Sequence, residues 1–216
     1  MIAAVGGRGT GKSAWVRQLL EKEKPPRLVV WDLVGEHDWA GPAAITPEQW
    51  GAAIKSMAAR RFVVRIQPPG DDERRATLFD AVCRACRNAR DMTLYAEELA
   101  FVTRPSSAPP GWRELCLLGR HAGVSIIGTS QRPAQVDKEF WGNLDLIHAG
   151  RQTSERDART MGSLLGVPWQ DLQRLPDLHW LERTPADMAA RSGVLTFSAA
   201  QKVKKSRAKV AAEPEA

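Results

Sequence analysis

Near its start the chain carries Gly6-Gly7-Arg8-Gly9-Thr10-Gly11-Lys12-Ser13, the complete G-x-x-x-x-G-K-[ST] pattern of a phosphate-binding loop. Few local patterns constrain a fold as much, because this one works only between a strand and a helix. The apolar run Met1-Ile2-Ala3-Ala4-Val5 precedes it, and an amphipathic stretch follows. Glycines let successive backbone N–H groups turn inward around a phosphate, and the helix N-terminus adds its dipole. Gly6, Gly7, Arg8, Gly9, Thr10, Gly11, Lys12, Ser13 and Ala14 are therefore the expected ATP cradle. Lys12 is expected at the β- and γ-phosphates, and the Ser13 hydroxyl on Mg²⁺.

A length of 216 residues allows one generous domain, expected over residues 1–200, and is too short for two full ones. The remainder, 201–216, holds Lys202, Lys204, Lys205, Arg207 and Lys209 against Glu213 and Glu215, and reads as a basic disordered tail. A formal charge of +6 favours polyanionic partners without identifying one. No apolar run approaches the roughly 18 residues needed to span a bilayer, and the five-residue strand at the N-terminus is no signal peptide. A cytoplasmic, ATP-using protein is expected. Three cysteines show no paired framework, which fits a reducing compartment. Cys83 and Cys86 form a C-x-x-C, but they also fall on the helical stripe Leu78, Phe79, Val82, Cys83, Cys86; buried thiols are expected there, with metal chemistry the lesser reading.

Strands and helices alternate along the chain. Strands are expected at 27–32, 62–66, 92–96, 124–129 and 144–149, with edge strands at 179–183 and 193–198. Helices are expected from Thr46-Pro47-Glu48-Gln49 to about Arg60, from Glu73 to Arg90, from Trp112 to Ala122, and after Ser154-x-x-Asp157, read as a cap. Arg104–Gly111, rich in proline and serine, reads as a mobile surface loop. Unbroken apolar strands separated by helices imply a mostly parallel sheet covered on both faces, the α/β fold of a P-loop NTPase.

Met92-Thr93-Leu94-Tyr95-Ala96-Glu97-Glu98 resembles a Walker B strand. In that pattern the first acid, here Glu97 in place of the usual aspartate, holds Mg²⁺ through water. The second, Glu98, polarises the attacking water. The strand 124–129 runs into Ser130-Gln131-Arg132-Pro133, and Gly119-Arg120-His121-Ala122-Gly123 precedes it.

Together with Trp31-Asp32-x-x-Gly35-Glu36, Asn143, Arg151 and Asp157, these segments resemble the FtsK–HerA superfamily of ring-forming, DNA-pumping ATPases over about Met1 to Ser198. The resemblance implies that Gln131 senses the γ-phosphate. It also implies that Arg120 is an arginine finger reaching into a neighbouring subunit, with Arg151 a second candidate. A finger supplied in trans implies a homo-oligomeric ring, most often a hexamer. Short length, no winged helix and no room before the first strand for an anchor make the chain similar to the small genome-packaging ATPases of membrane-containing icosahedral viruses. Such a motor would grip DNA, expected to be double-stranded, by its phosphates without reading sequence. It would also meet a capsid vertex or portal protein. Candidate grips are the arginines of Arg74–Arg90, the loop Arg104–Gly111 and the lysine tail. Three rivals remain open: a filamentous-phage assembly ATPase of the zonula-occludens-toxin type, a nucleoside-monophosphate-kinase-like phosphotransferase, and a non-catalytic nucleotide-gated scaffold.

Overall fold

The computed structural model describes residues 1–37, 40–41, 45–68 and 70–197. One sheet of eight strands organises them: β1 (Ile2–Val5), β2 (Arg27–Trp31), β3 (Phe62–Ile66), β4 (Met92–Ala96), β5 (Val124–Ser130), β6 (Leu146–Ala149), β7 (His179–Arg183) and β8 (Arg191–Val194). Their order is β3-β2-β4-β5-β1-β6-β7-β8. The first six are mutually parallel, and β7 and β8 add antiparallel to one side. The expected mostly parallel α/β sheet is what forms. Of the two late strands only β8 is an edge; β7 is flanked by β6 and β8. β8 also starts two residues before the expected Gly193 and ends at Val194, and Ser198 lies outside the described residues.

Alternate side chains of the central strands enter two different cores, which is why those strands are apolar throughout. On one face Ala4, Leu28, Val30, Tyr95 and Ile127 pack against Val16 and Leu20 of α1 (Lys12–Glu23). On the other, Val29, Trp31, Leu94, Ala96 and Ile126 meet a thicker layer. That layer comprises α2 (Trp50–Ser56), α3 (Asp72–Ala89), α4 (Pro110–Leu118), α5 (Lys138–Gly142) and α6 (Glu155–Leu165). Phe79, Trp112 and Phe140 follow one another through this second core as tilted rings, with centroids 5.3 and 5.6 Å apart. Cys83, Cys86 and Cys116 are buried as free thiols within it, the first two as their helical spacing predicts. Burial pushes the Cys86 thiol up to about 12, as befits a core thiol.

Several local expectations are corrected. The helix expected from Thr46 to Arg60 begins as a 3₁₀ turn at Pro47–Gln49 and is α-helical only over Trp50–Ser56. Half of its capping box forms, the Thr46 N–H donating to Gln49 Oε1 at 2.9 Å. α4 begins at Pro110 and gives way to a 3₁₀ turn over Gly119–Ala122, closed by Gly123 in the left-handed region at φ 67°. The Arg104–Gly111 segment is not a loose loop. Arg104 and Ser107 exchange backbone hydrogen bonds of 2.7 and 3.0 Å, and Arg104 Nη1 donates to the Ala100 and Thr103 carbonyls. Gly111 belongs to α4, its N–H donating to Asp80 Oδ1. After β6, α6 begins without a side-chain cap from Ser154, and Asp157 is employed elsewhere. α7 (Trp169–Arg174) then leads to β7. The tail 201–216 and its lysines lie outside the described residues.

Candidate nucleotide-binding and hydrolysis site

The site lies at the C-terminal ends of β1, β4 and β5, the crevice where ligands sit in open parallel sheets. β1 delivers the glycine loop directly into α1. Gly6 has φ 148°, and a Cβ there would fall 2.6 Å from Thr10 Oγ1, which itself donates to the Gly7 carbonyl. Gly11 sits at φ 96° at the helix start, where a Cβ would strike Leu195. These two positions require glycine, one for closeness across the loop and one for the turn into the helix. Flanking bonds clamp the loop, the Gly6 N–H donating to the Ser130 carbonyl and the Gly7 N–H to the Arg151 carbonyl.

The first turn of α1 has no side-chain cap and no acid, so nothing anionic from the chain competes for its N–H groups. Arg8, Gly9 and Ser13 are exposed beside it, with Ala14 half-buried. Lys12 is buried and arches back over the loop, Nζ donating to the Gly6 and Gly7 carbonyls at 2.8 and 3.1 Å. Burial lowers its pKa, an effect that Glu98 and Glu97 oppose from across the crevice.

β5 separates β4 from β1, so the C-terminal end of β4 lies one intervening strand away from the loop. Glu98 turns through the left-handed region at φ 51°, its N–H donating to Thr129 Oγ1 at 3.2 Å. Its Oε2 accepts from the Gln131 backbone N–H at 2.8 Å. Burial raises the Glu98 pKa, while hydrogen bonds from Gln131 and the charge of Lys12 pull it down. Lys12, Glu98 and Gln131, distant in sequence, thus form one constellation.

Glu97 points to the β2 side. Its Oε2 accepts from the Val34 N–H at 3.3 Å, and its Oε1 lies 3.0 Å from His37 Nε2. Asp32, wholly buried, accepts from the Gly35 and His37 N–H groups and sits 3.5 Å from Arg65 Nε. Hydroxyl and carboxylate oxygens from Ser13 and Glu97 are the hard donors that suit Mg²⁺, and the uncapped helix start suits a triphosphate.

Arg120 is placed elsewhere. It precedes β5, at the opposite end of the sheet from the glycine loop, beside the start of β1. Its Nη2 donates to Asp145 at 3.0 Å, and its side chain is 81% exposed. It cannot reach the phosphates bound by its own chain. Arg151, by contrast, abuts the chain's own glycine loop through its backbone and pairs with Asp177 at 2.6 Å.

No protein-family model matches the chain. Among curated proteins it is similar to Protein P9 of Pseudoalteromonas phage PM2, 27% identical over 187 residues, which cover 82% of this chain and 83% of that protein. Among solved structures it resembles the genome packaging NTPase B204 of Sulfolobus turreted icosahedral virus 2, in complex with AMPPCP. The TM-score is 0.72 at 16% identity, covering 91% of this chain and 98% of that one. The N-terminal domain of zonular occludens toxin from Neisseria meningitidis matches with a TM-score of 0.53 at 14% identity, covering 92% of this chain and 94% of that one. The fold is the α/β fold of P-loop NTPases, shared with these proteins.

Within that fold, some expected roles are reassigned. The arginines of α3 and its C-terminal end each have a partner within the chain. Arg75 is buried against Asp72 and the Gly70 carbonyl, Arg84 pairs with Asp80, Arg87 with Glu114 and Arg74 with Asp71, while Arg90 donates to the His121 carbonyl. Asp157, expected as a helix cap, is buried below the loop 131–135. It accepts from Arg132 Nε at 2.9 Å and from the Ala134 N–H at 3.0 Å. His37 carries no sequence signal of a role. Only the pairing of Trp31 with Ala96 in neighbouring strands, which aligns Asp32 and the residues after it with Glu97, reveals one.

Proposed function

We propose that this chain is an ATP hydrolase that drives DNA translocation, packaging a viral or prophage genome, and works as a ring of identical subunits. The observation that carries the reading is the meeting of Lys12, Glu98 and Gln131 at one crevice while Arg120 lies exposed, paired with Asp145, at the far end of the sheet. The chain thereby holds a loop for the triphosphate, a base for water and a strand-end group beside that base, while Arg120 lies out of reach of that loop. A neighbouring copy would supply Arg120. The fold shared with B204 and the sequence similarity to Protein P9 support the same reading.

In this mechanism the N–H groups of residues 8–14 and the Lys12 ammonium hold the triphosphate, and Glu98 accepts a hydrogen bond from the attacking water. Ser13 directly and Glu97 through water would hold Mg²⁺, which when bound offsets charge between the β- and γ-phosphates. The Gln131 N–H donates to Glu98, so loss of the γ-phosphate would be felt at the base and in the 131–135 loop together. DNA contacts fall to exposed cations. A pair such as Arg74–Asp71 contributes at most about 1 kcal/mol to stability, so its arginine can exchange the acid for a phosphate.

The test is steady-state hydrolysis. The rate should rise with protein concentration and with double-stranded DNA. Lys12→Ala should abolish nucleotide binding or turnover. Inactive Arg120→Ala subunits mixed with inactive Glu98→Gln subunits should regain part of the activity, because each lends what the other lacks. Absence of complementation removes the trans finger, and a rate indifferent to both DNA and concentration favours a phosphotransferase. A filamentous-phage assembly role shares the fold through the zonular occludens toxin domain. It would be favoured by stimulation with single-stranded rather than double-stranded DNA.

A further inference from the structure

We infer that His37 is a positioning residue for Glu97, holding its carboxylate in the orientation that Mg²⁺–ATP requires. The inference rests on the proposed role of Glu97. His37 lies in the segment after β2 and is 1% exposed. Its Nε2 lies 3.0 Å from Glu97 Oε1. A carboxylate only accepts hydrogen bonds, so the contact requires the tautomer that carries its proton on Nε2. The other oxygen, Oε2, accepts from the Val34 N–H. Both oxygens of Glu97 are thus engaged from the same segment, 33–37, which removes the rotation a glutamate otherwise has about its last bond.

His37 is itself held on several sides. Its N–H donates to Asp32 Oδ2 at 3.2 Å. The Tyr95 hydroxyl lies 3.2 Å from Nε2, and the two rings approach at 5.1 Å. Tyr95 hydrogen-bonds Thr129, whose Oγ1 accepts from the Glu98 N–H. The two β4 acids are therefore linked through β5 on one side and through His37 on the other. A glutamate in place of aspartate has one more rotatable bond to restrain, and His37 supplies the restraint.

Asp32, His37 and Glu97 also bring three ligand atoms within 4.8 Å of one another, the spacing of a metal cluster. The positioning reading is favoured because Arg65, 3.5 Å from Asp32, already supplies a cation to that carboxylate. A second divalent ion there would add charge where Lys12 also faces Glu97.

The experiment measures the affinity of a fluorescent ATP analogue for the full chain, with Mg²⁺ and with a chelator, alongside Mn²⁺ binding by electron paramagnetic resonance without nucleotide. In the wild type Mg²⁺ should tighten binding. Glu97→Gln should lose that gain; if it does not, the role given to Glu97 fails, and this inference with it. With Glu97 upheld, His37→Leu should reduce the Mg²⁺-dependent gain by about tenfold or more, within the range for residues that orient metal ligands. His37→Gln, which keeps a donor, should retain most of it. Unchanged affinity in chelator shows that each variant is folded. A full Mg²⁺ gain in His37→Leu beside a lost gain in Glu97→Gln overturns the inference alone. Tight Mn²⁺ binding without nucleotide, abolished by Asp32→Asn and by His37→Leu, overturns it in favour of a resident metal.

Discussion

Glu98 and Gln131 are tied together across neighbouring parallel strands, the Gln131 N–H donating to Glu98 Oε2 at 2.8 Å. The residue that follows β5 therefore restrains the Glu98 carboxylate, so a shift of the β5 loop shifts the proposed base.

Glu98→Gln keeps the shape of the side chain and removes the base. Phosphate release should fall by about 10² to 10⁴, the usual contribution of a positioned general base, while a fluorescent ATP analogue binds as before. Retention of more than a tenth of the rate would assign the water to another group.

The pH profile follows from burial. The Glu98 pKa is raised in the folded protein, and the group must be ionised to act. Activity should then be lost, as pH falls, above the ordinary glutamate range rather than within it. The Lys12 pKa is lowered by burial, so the alkaline limb set by its deprotonation should lie below that of an ordinary lysine. The profile of kcat/KM in the absence of DNA measures both limbs. An acid limb at or below the ordinary glutamate value would contradict the first.

Asp157→Asn tests whether the loop 131–135 is held from below. The variant loses the charge that receives Arg132 Nε and weakens the contact to the Ala134 N–H. The kcat for ATP should drop roughly tenfold through misplacement of the 131–135 loop, with KM altered little. Equal changes in both constants would point to a general loss of structure instead.

Arg120→Ala separates a finger from a helix-end cation. The Arg120–Asp145 pair is mostly exposed, so thermal denaturation should register a loss below about 1 kcal/mol. Hydrolysis should nevertheless fall by about 10³ or more. A variant with unchanged turnover would reduce Arg120 to a surface charge.

Gly11→Ala reports on the loop itself. Its φ of 96° and the contact of a Cβ with Leu195 predict a cost of about 1–3 kcal/mol. In a chain of this size the melting temperature should drop by about 2–4 °C per kcal/mol. An unchanged melting temperature would mean that the loop adopts another conformation.

Residue order alone determined the strand–loop–helix of the phosphate site, the unbroken apolar strands, the buried thiols at Cys83 and Cys86, and the parallel character of the sheet. These follow from local rules: glycine spacing, a helical stripe, and strands apolar on both sides. It could not say which strands are neighbours, because periodicity reports the faces of a strand and not its edges. Only the packing of helices on both faces sets the order that slips β5 between β1 and β4. That order brings Gln131 to Glu98, and the β2–β4 pairing brings His37 to Glu97. It also carries Arg120 to the far end, and the fold of α6 buries Asp157 beneath the loop 131–135 although its spacing suggested a cap. Side-chain chemistry named the candidates, and long-range packing chose which of them touch.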